Sequence, residues 1–429
     1  MDPDEPAEKL KRALYFGRKQ VVRDLLDEDP GIPQQDLGLQ IATYDLEAVR
    51  TALADPSKAR EPIGVRTPIL HLAFSKYIHM APDKRNEMLA IADLLLANGA
   101  DPNDGFSPEP EADYRLSALY GALGHADNMP LAAWLLDHGA NPDDGESLYH
   151  STELGHHEGL KLLIRHGANP RGTNALLRAL DFDDREAVRL LLDQGADPDE
   201  TIPDHPDGLS FGVIPALHQA ARRCCSADTA DLLLERGADP LRRWNGHTAH
   251  ALAKIYGNQA VAQLLASKGH AETLSPLEAA LAACAEGRAP KQPIDPAALG
   301  DEDKRLITRI VQKPDRLDHV KALVEAGLDP NQADEQNLPP LHLAGWVGLP
   351  PHVAYLLTLS PDLAHKNNYG GDALGTVIHG AEFAPDRAER DHIGCARLLL
   401  EAGAELRPGH IEGTGSEDMA AFLRGWVDG

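Results

Sequence analysis

A phrase that ends helices recurs along this chain and constrains its fold more than any other feature. In its first clear copy, residues 94–102 read Leu-Leu-Leu-Ala-Asn-Gly-Ala-Asp-Pro. The aliphatic residues are typical of the buried stripe of a helix, and glycine most readily adopts the left-handed conformation of a helix end. The proline prevents the helix from resuming. Further copies place this glycine at Gly139, Gly167, Gly195 and Gly237, with looser copies at Gly269, Gly327 and Gly403. A chain that ends its helices at such intervals is predicted to be a repeat array.

Short helix starts precede these stops. Thr67 is predicted to cap a helix whose first residue is Pro68, since the fixed φ of proline suits the first helical position. Related starts lie at Pro215, Thr248, Ser275 and Pro340. Each unit is therefore predicted to contain a short helix, a turn, a second helix, a glycine stop and an extended loop.

The start pattern Thr-Pro-Leu-His-x-Ala, followed by Leu-Leu-Leu-x-x-Gly-Ala-Asp, is similar to the ankyrin repeat. Residues 327–331 and 340–344 form the best single copy, and residues 154–158 resemble the turn between the two helices. Most stops lie 28 to 42 residues apart, around the family's period of about 33. The resemblance covers nearly the whole chain. It implies an all-α ankyrin-repeat solenoid of about eleven helix-turn-helix units, some with insertions. A C-terminal capping helix is expected to follow, since Thr414 and Glu417 have capping-box spacing.

We expect a single array over residues 1–429, without a separate catalytic domain. Its predicted parts are degenerate N-terminal capping repeats at 1–60, regular repeats at 61–272, a repeat with a long insertion at 273–330, and C-terminal repeats with the capping helix at 331–429. The stops at Gly269 and Gly327 lie too far apart for one ordinary repeat. Either one unit carries a large insertion around residues 286–314, or a degenerate extra repeat lies there.

The chain is strongly acidic, because 41 Lys and Arg residues face 67 Asp and Glu residues and give a formal charge of −26. This charge repels phosphate groups, so we expect no binding to nucleic acid or to anionic membrane surfaces. It favours a basic partner, although acidic residues on an extended array also serve solubility alone.

The sequence also predicts a location. No apolar stretch approaches the roughly 18 residues of a membrane span, and the acidic N-terminus is unlike a secretory signal. The four cysteines have no regular spacing, which fits a reducing compartment. We therefore predict that the protein is cytoplasmic.

Neither histidines nor cysteines form a pattern typical of a reactive site. The chain has 20 His residues but no Cys-x-x-Cys or His-Glu-x-x-His spacing, so no metal or other cofactor is predicted. His71, His218 and His342 fall at the histidine position of the start pattern, where the ring is expected to hydrogen-bond neighbouring backbone. The adjacent Cys224 and Cys225 are predicted to be inert because they lie inside a repeat helix. Carboxylates show no recurring catalytic spacing, and enzyme activity is not predicted.

The candidate partner-binding residues are departures from the repeat. In this architecture the loop tips and the first helices line one concave face that suits a partner. Arg242, Arg243 and Trp244 stand out because Trp and Arg are enriched at binding hot spots. The alternative for Trp244 is that it packs over the adjacent unit. The full predicted set is Phe106, Tyr114, Asp143, Asp144, Asp199, Glu200, Phe211, Arg242, Arg243, Trp244, Asp334, Glu335 and Tyr369.

The predicted function is that of a protein–protein interaction scaffold or adaptor, which binds a partner protein on the concave face and is a monomer when free. The alternative is an acidic inhibitor or immunity-type protein that neutralises a basic enzyme or toxin by charge complementarity.

Overall fold

The structure is a computed structural model that describes residues 5–108, 114–200, 214–290, 293–384 and 386–428. It divides into two compact units, Met1–Asp239 (unit 1) and Pro240–Gly429 (unit 2). Both units consist of successive helix pairs joined by extended loops, as the sequence predicts. The prediction that all pairs belong to a single array stays a prediction.

Unit 1 is a succession of helix pairs with one short β-hairpin. The first helices of neighbouring pairs pack side by side, as α3 does against α5 and α11 against α13, and we call this row the first-helix row. The helices are α1 (Pro6–Phe16), α2 (Lys19–Glu28), α3 (Leu37–Ala42), α4 (Leu46–Ala52), α5 (Pro68–Ala73), α6 (Arg85–Ala97), α7 (Ala118–Tyr120), α8 (Met129–Asp137), α9 (Ser147–His150), α10 (Glu158–Arg165), α11 (Ala175–Asp181), α12 (Arg185–Asp193), α13 (Ala216–Arg223) and α14 (Ala227–Glu235). A π-helical turn, Gly121–His125, continues α7. Strands β1 (Gly105–Phe106) and β2 (Leu116–Ser117) pair antiparallel.

Unit 2 repeats this architecture and contains a segment without a repeat pattern. Its strands β3 (Arg243–Trp244) and β4 (His247–Thr248) pair antiparallel. Its helices are α15 (Ala249–Tyr256), α16 (Gln259–Ser267), α17 (Pro276–Ala285), α18 (Asp301–Lys304), α19 (Leu306–Ile310), α20 (Leu317–Glu325), α21 (Pro340–Val347), α22 (Pro350–Leu357), α23 (Ala373–Phe383), α24 (His392–Glu401), α25 (Pro408–Glu412) and α26 (Glu417–Asp428). Helix α17 packs directly against α20, so residues 286–316 are an insertion between the two helices of one pair.

The helix stops behave as the sequence predicts. Gly99, which ends α6, has a φ of +89°, in the left-handed region that glycine tolerates best. The N–H of the following Ala100 bonds to the carbonyl oxygen of Leu95 at 3.0 Å, which satisfies one of the free carbonyls at the helix end. The other seven stop glycines also have positive φ. The stop phrase therefore marks the same local event in both units.

Two predicted caps differ from those in the structure. The Thr67 side chain does not cap α5; its hydroxyl donates instead to Asp104 at 2.5 Å, in the loop of the next pair. At the C-terminus Ser416, not Thr414, caps α26, because Ser416 Oγ accepts the N–H of Met419. The Thr414 hydroxyl accepts the N–H of Ser416 instead. In the first case a contact between neighbouring pairs replaces a local one, which sequence spacing does not reveal.

The histidines of the start pattern have structural partners. The ring of His71 lies 3.0 Å from the carbonyl oxygen of Ile63, which confirms the predicted backbone bond. The ring of His342 instead meets the Thr376 hydroxyl of the next pair at 3.1 Å. His218 is completely buried in α13.

Buried His319, whose ring has no hydrogen-bond partner among the described residues, makes unit 2 sensitive to acid. His319 on α20 is 3% exposed, and no acceptor or donor meets either ring nitrogen among the described residues. Burial, with a smaller contribution from Arg316, lowers the pKa of His319 from 6.5 to about 3. Below pH 6.5 the unfolded chain therefore gains a proton that the folded chain excludes, and stability falls.

We expect His319→Leu to remove the contribution of this residue to the acid sensitivity, since leucine has a similar size and no polar atoms. At pH 5.0 the gain in unfolding free energy over the parent should exceed that at pH 7.5 by about 2 kcal/mol. Urea unfolding at the two pH values, followed by circular dichroism, measures the difference. An equal effect of the substitution at both pH values would contradict the protonation argument.

Candidate functional site

The loops that follow the glycine stops are tied to one another in unit 1. Asn103 Oδ1 accepts the N–H of Asn141 at 2.7 Å, and Asp143 Oδ1 accepts the N–H of Asn169 at 2.7 Å. Asp199 Oδ2 accepts the N–H of Asp239 at 2.9 Å. Each acceptor lies four residues after its own glycine and reaches the loop of the following pair. The carboxylates of Asp143 and Asp199 therefore hold loops in register, and we remove them from the candidate partner surface.

Three further predicted acidic residues also have structural roles. Asp144 accepts hydrogen bonds from the hydroxyls of Ser117 at 2.5 Å and Ser147 at 2.6 Å, at the start of α9. Glu200 accepts the N–H of Gly172 at 3.1 Å. Asp334 closes its own turn by accepting the N–H of Leu338 at 2.8 Å. The loop geometry needs these oxygens, and we remove all three residues from the candidate partner surface.

Phe106 is also not a free tip residue. It is 9% exposed, and its ring packs edge-on against that of Phe74 with centroids 5.2 Å apart. It pairs in β1 with Leu116 of β2, so the hairpin directs it towards the helices. Tyr114 is half-buried, and Phe211 lies outside the described residues.

The remaining predicted residues lie in unit 2. Tyr369 is 75% exposed at a loop tip. Arg243 is exposed and forms an ion pair with Glu272, whereas Arg242 and Trp244 are half-buried. Glu335 forms ion pairs with Arg309 at 2.6 Å and Arg305 at 3.2 Å. Tyr369, Arg243 and Trp244 stay candidates for contact with a partner.

A strip of aromatic rings crosses the first-helix row of unit 1, and sequence reasoning missed it. The strip consists of Phe16, Tyr15, Phe74, Phe106, His125, Tyr120, His150, Tyr149 and Phe182. Tyr15 stacks on Phe74 with centroids 6.0 Å apart and lies 4.1 Å from His125. Phe74 also meets Tyr120 at 6.0 Å, and Tyr120 meets His150 at 4.9 Å. The terminal rings are the most open, with Phe16 46% and Phe182 47% exposed.

The strip arises from one recurring position. Tyr15 and Phe16 end α1, Phe74 follows the last residue of α5, and Phe182 follows the last residue of α11. Because first helices stack side by side, residues at their C-terminal ends form a line across the unit. Aromatic residues at the end of each first helix, read in repeat register, are the signal that would have found the strip.

Charged groups are set among these rings. The Arg178 guanidinium carbon lies 5.7 Å from the centre of Tyr149 and 4.7 Å from that of Phe182, within the range of cation–π attraction. Arg178 also forms ion pairs with Glu153 at 2.7 Å and Asp181 at 3.0 Å. Burial disfavours protonation of His150, but its hydrogen bonds to Glu146 and Glu153 outweigh burial and raise its pKa to about 9. At neutral pH this part of the strip therefore contains a charged histidine with two counter-ions.

A second polar cluster, in unit 2, holds the insertion in place. His247 Nδ1 lies 2.8 Å from Glu278, and its Nε2 lies 3.2 Å from both carboxylate oxygens of Asp303 in the insertion. All three side chains are less than a tenth exposed. Burial disfavours the charged ring, but the bonds to Asp303 and Glu278 raise the pKa of His247. We call these three residues the insertion clasp.

The insertion has further contacts around the clasp. The Tyr256 hydroxyl donates to Glu302 at 3.1 Å. The Arg309 guanidinium lies 3.2 Å from Glu302 and 2.6 Å from Glu335. Leu306, Ile307 and Ile310 of α19 are buried. The insertion is thus held both by buried apolar side chains and by hydrogen bonds and ion pairs.

The described parts of the chain show neither a membrane-spanning helix nor a metal-binding cluster. No helix there is long and apolar enough to cross a bilayer. No group of three or more His, Cys, Asp or Glu side chains there could hold a metal ion.

Comparison with known proteins identifies the repeats. Family models for ankyrin repeats match residues 118–202, with three copies, and residues 215–245. A human protein, ankyrin repeat and SOCS box protein 16, is 42% identical over 95 residues, which is 22% of this chain and 20% of that protein. Its mouse counterpart is 42% identical over 71 residues, 17% of this chain and 15% of that protein. The chain thus spans about a fifth or less of the length of these relatives.

Among solved structures, the human ASB11 ankyrin repeat domain aligns with 58% of this chain and 96% of its own length, at 17% identity and a TM-score of 0.28.

Proposed function

The chain is an ankyrin-repeat protein, and we propose that it is a scaffold or adaptor that binds a partner protein through the first-helix row of unit 1. Ankyrin repeats are in general protein–protein interaction modules. In such arrays the first helices and adjoining loops form the recognition surface, while the residues between the helices specify stacking. We further propose that the protein has no enzymatic activity.

The aromatic strip is the observation that carries this proposal. Only 5% of the residues are Phe, Trp or Tyr, yet seven Phe and Tyr rings and two His rings lie along one row of helices in unit 1. Large rings in the centre of a binding surface bury much apolar area at a small entropic cost, and they dominate interface energies. The half-exposed Phe16 and Phe182 at the two ends of the strip are available to a partner without rearrangement of the helices.

The double substitution Phe16→Ser and Phe182→Ser tests the proposal. Partners are captured from a cell extract with the immobilised full chain, identified by mass spectrometry and purified. We expect the double variant to bind the recovered partner at least about tenfold more weakly, since loss of two aromatic contacts costs more than about 1.4 kcal/mol. The unfolding temperature should fall only slightly, because each ring is about half exposed.

The matched control is Val21→Ser with Val427→Ser, at two exposed apolar residues on α2 and α26. Neither residue belongs to the strip, so partner affinity should stay the same. Equal loss of affinity in both double variants would mean that general surface apolarity, not the strip, drives binding. A purified chain that turns over a substrate would overturn the non-enzymatic part of the proposal.

The acidic charge supports a basic partner as part of the same proposal. With a formal charge of −26, association with a basic protein should be fast and should weaken steeply as salt rises. One small basic protein as the dominant, salt-sensitive partner would favour the inhibitor or immunity-type alternative. A salt-resistant set of several partners would favour the scaffold.

We also propose that the free protein is a cytoplasmic monomer. All four cysteines are free in the structure, which suits a reducing compartment. Light scattering coupled to size exclusion measures the oligomeric state, and a dimer in the low micromolar range would contradict it.

A further inference from the structure

Arg66 lies in the middle of the aromatic strip. Arg66 directly precedes Thr67, the residue before the start of α5. The backbone carbonyl oxygen of Arg66 accepts the N–H of Ile63 at 2.8 Å. The guanidinium carbon lies 4.6 Å from the ring centre of Tyr15, 4.7 Å from that of Phe106 and 5.1 Å from that of Phe74. Because Phe74 stands at the far end of α5, the Arg66 side chain must extend along that helix to reach it.

Within the described residues, this guanidinium has no hydrogen-bond acceptor and no ion pair. Its Nε is buried without a partner. Burial lowers the pKa of Arg66, and a smaller contribution from Tyr15 acts in the opposite direction. Arginine nevertheless stays charged in proteins. Arg178, near the Phe182 end of the strip, forms ion pairs with two carboxylates. The two arginines therefore differ in whether a carboxylate balances their charge.

The surroundings of Arg66 are locally positive. Lys76 lies near the same rings, since it lowers the pKa of His125, which burial chiefly brings to about 3. Burial also lowers the pKa of Lys76 itself, with Asp127 acting weakly in the opposite direction. The Asp127 carboxylate already meets His156 at 2.9 Å, and Asp104 accepts from Thr67. The nearby carboxylates are therefore occupied by other groups.

We propose that Arg66 anchors a docking site for a peptide segment of the partner protein that carries a carboxylate next to an apolar side chain. The carboxylate would accept two parallel hydrogen bonds from the guanidinium. The apolar side chain would lie against the half-buried ring of Tyr15, where exclusion of water strengthens the ion pair.

Charge complementarity selects this occupant. A guanidinium without a counter-ion, enclosed by rings, has unused donors that a carboxylate satisfies and that a lysine or arginine of a partner would leave unsatisfied. The overall charge of −26 disfavours a partner that is acidic throughout. A single carboxylate in a neutral or basic segment meets both conditions. This inference rests on the proposed function and specifies which feature of the partner the strip recognises.

The test is selection of 12-residue peptides from a random display library on the immobilised full chain. We expect the enriched peptides to share an Asp or Glu beside an aromatic or aliphatic residue. Fluorescence anisotropy then measures the affinity of the best peptide and of its amide analogue, in which Asn or Gln replaces the acid. The acidic form should bind the parent chain at least about tenfold more tightly, the size of one charge-assisted hydrogen-bonded pair.

Variants of Arg66 decide whether this residue provides the preference. In Arg66→Met, which keeps an apolar stem on the rings, the acid and amide forms should bind within about threefold of each other. Arg66→Lys, which keeps the charge, should retain part of the preference. Arg85→Gln, at an exposed arginine at the start of α6, should leave it unchanged.

Four results would overturn the inference. Enriched peptides that are basic, or whose acid preference survives in Arg66→Met, would leave the scaffold function standing without this site. No enrichment of peptides, together with no partner captured by the full chain, would contradict both the docking site and the scaffold function. The alternative source of the carboxylate is the chain's own sequence, through Glu109, Glu111 and Asp113. If peptides bind only after these three are changed to their amides, the site serves the chain itself and not a partner.

Discussion

Replacing His247 by leucine is expected to release the insertion from unit 2. The ring stands between Glu278 and Asp303, and all three side chains are less than a tenth exposed. Leucine would leave two buried carboxylates facing each other without a cation. Breaking a buried ion pair by removal of one partner costs about 3–5 kcal/mol, which is large against the stability of a typical domain.

Hydrogen exchange measured by mass spectrometry gives a direct readout of this change. Amides of α18 and α19 should exchange much faster in His247→Leu, whereas peptides from unit 1 should exchange as in the parent chain. The matched control changes His247, Glu278 and Asp303 all to leucine. Since no buried charge is then left unpaired, most of the lost protection should return. If the single and triple variants exchange alike, charge compensation is not what holds the insertion.

The same clasp predicts an alkaline limit to the stability of unit 2. The pKa of His247 is raised above its ordinary 6.5 in the folded chain, so the folded state keeps its proton to higher pH than the unfolded state does. Its contribution is complete below pH 6.5 and is lost as the pH rises through the raised value. Exchange of α18 and α19 should therefore accelerate beyond the intrinsic pH effect in the parent chain, but not in the triple leucine variant.

Gly380→Ala is expected to have the second largest effect, through the contact of α21 with α23. A methyl group on Gly380 would lie 3.0 Å from both Cα and the carbonyl carbon of Trp346 and closer still to its carbonyl oxygen. These are backbone atoms and cannot turn aside, so the helices must separate. Overpacking of this kind costs about 1–3 kcal/mol, more than the helix propensity of about 1 kcal/mol that alanine brings. If overpacking costs about 3 kcal/mol, the upper end of that range, the net loss of stability after the gain in helix propensity is about 2 kcal/mol.

Gly425→Ala is the control for this prediction. Gly425 also lies inside a helix, α26, but nothing stands within 4 Å of the position its Cβ would take. Alanine should therefore stabilise the chain slightly, by up to about 1 kcal/mol. Urea midpoints of the two variants should move in opposite directions. A shift of both in the same direction would mean that the close approach of α21 and α23 is not what limits residue 380.

The parts of the fold that local chemistry determines were predictable from the sequence. The stop at Gly99 depends only on glycine, the preceding aliphatics and the following proline, and the structure has the helix end there. The helix start at Pro68 is likewise local. The hydrogen bond of the Thr67 hydroxyl is not determined locally, because its acceptor Asp104 lies 37 residues away. A cap position read from spacing cannot reveal an acceptor that the next pair supplies.

The candidate site was less predictable for the same reason. Loop-tip residues are predicted as partner-binding residues because they depart from the repeat pattern. Asp143 and Asp199, however, accept hydrogen bonds from neighbouring loops. The rings around Arg66 come from residues 15, 74 and 106, and they meet only after three pairs have stacked. The position of Tyr15 and Phe74 at helix ends is visible in the sequence. Phe106 lies in β1 instead, and the contact of all three rings with one arginine requires the structure.

The insertion clasp also affects the order in which unit 2 can assemble during synthesis. Helix pairs that touch only their neighbours can fold as soon as each leaves the ribosome. His247 and Asp303, however, are 56 residues apart. Until residue 303 has left the ribosome, Glu278 is the only member of the clasp that His247 can contact. Closure of this long loop is therefore delayed. The helix pair that contains α15 reaches its final packing only after its own residues have been synthesised.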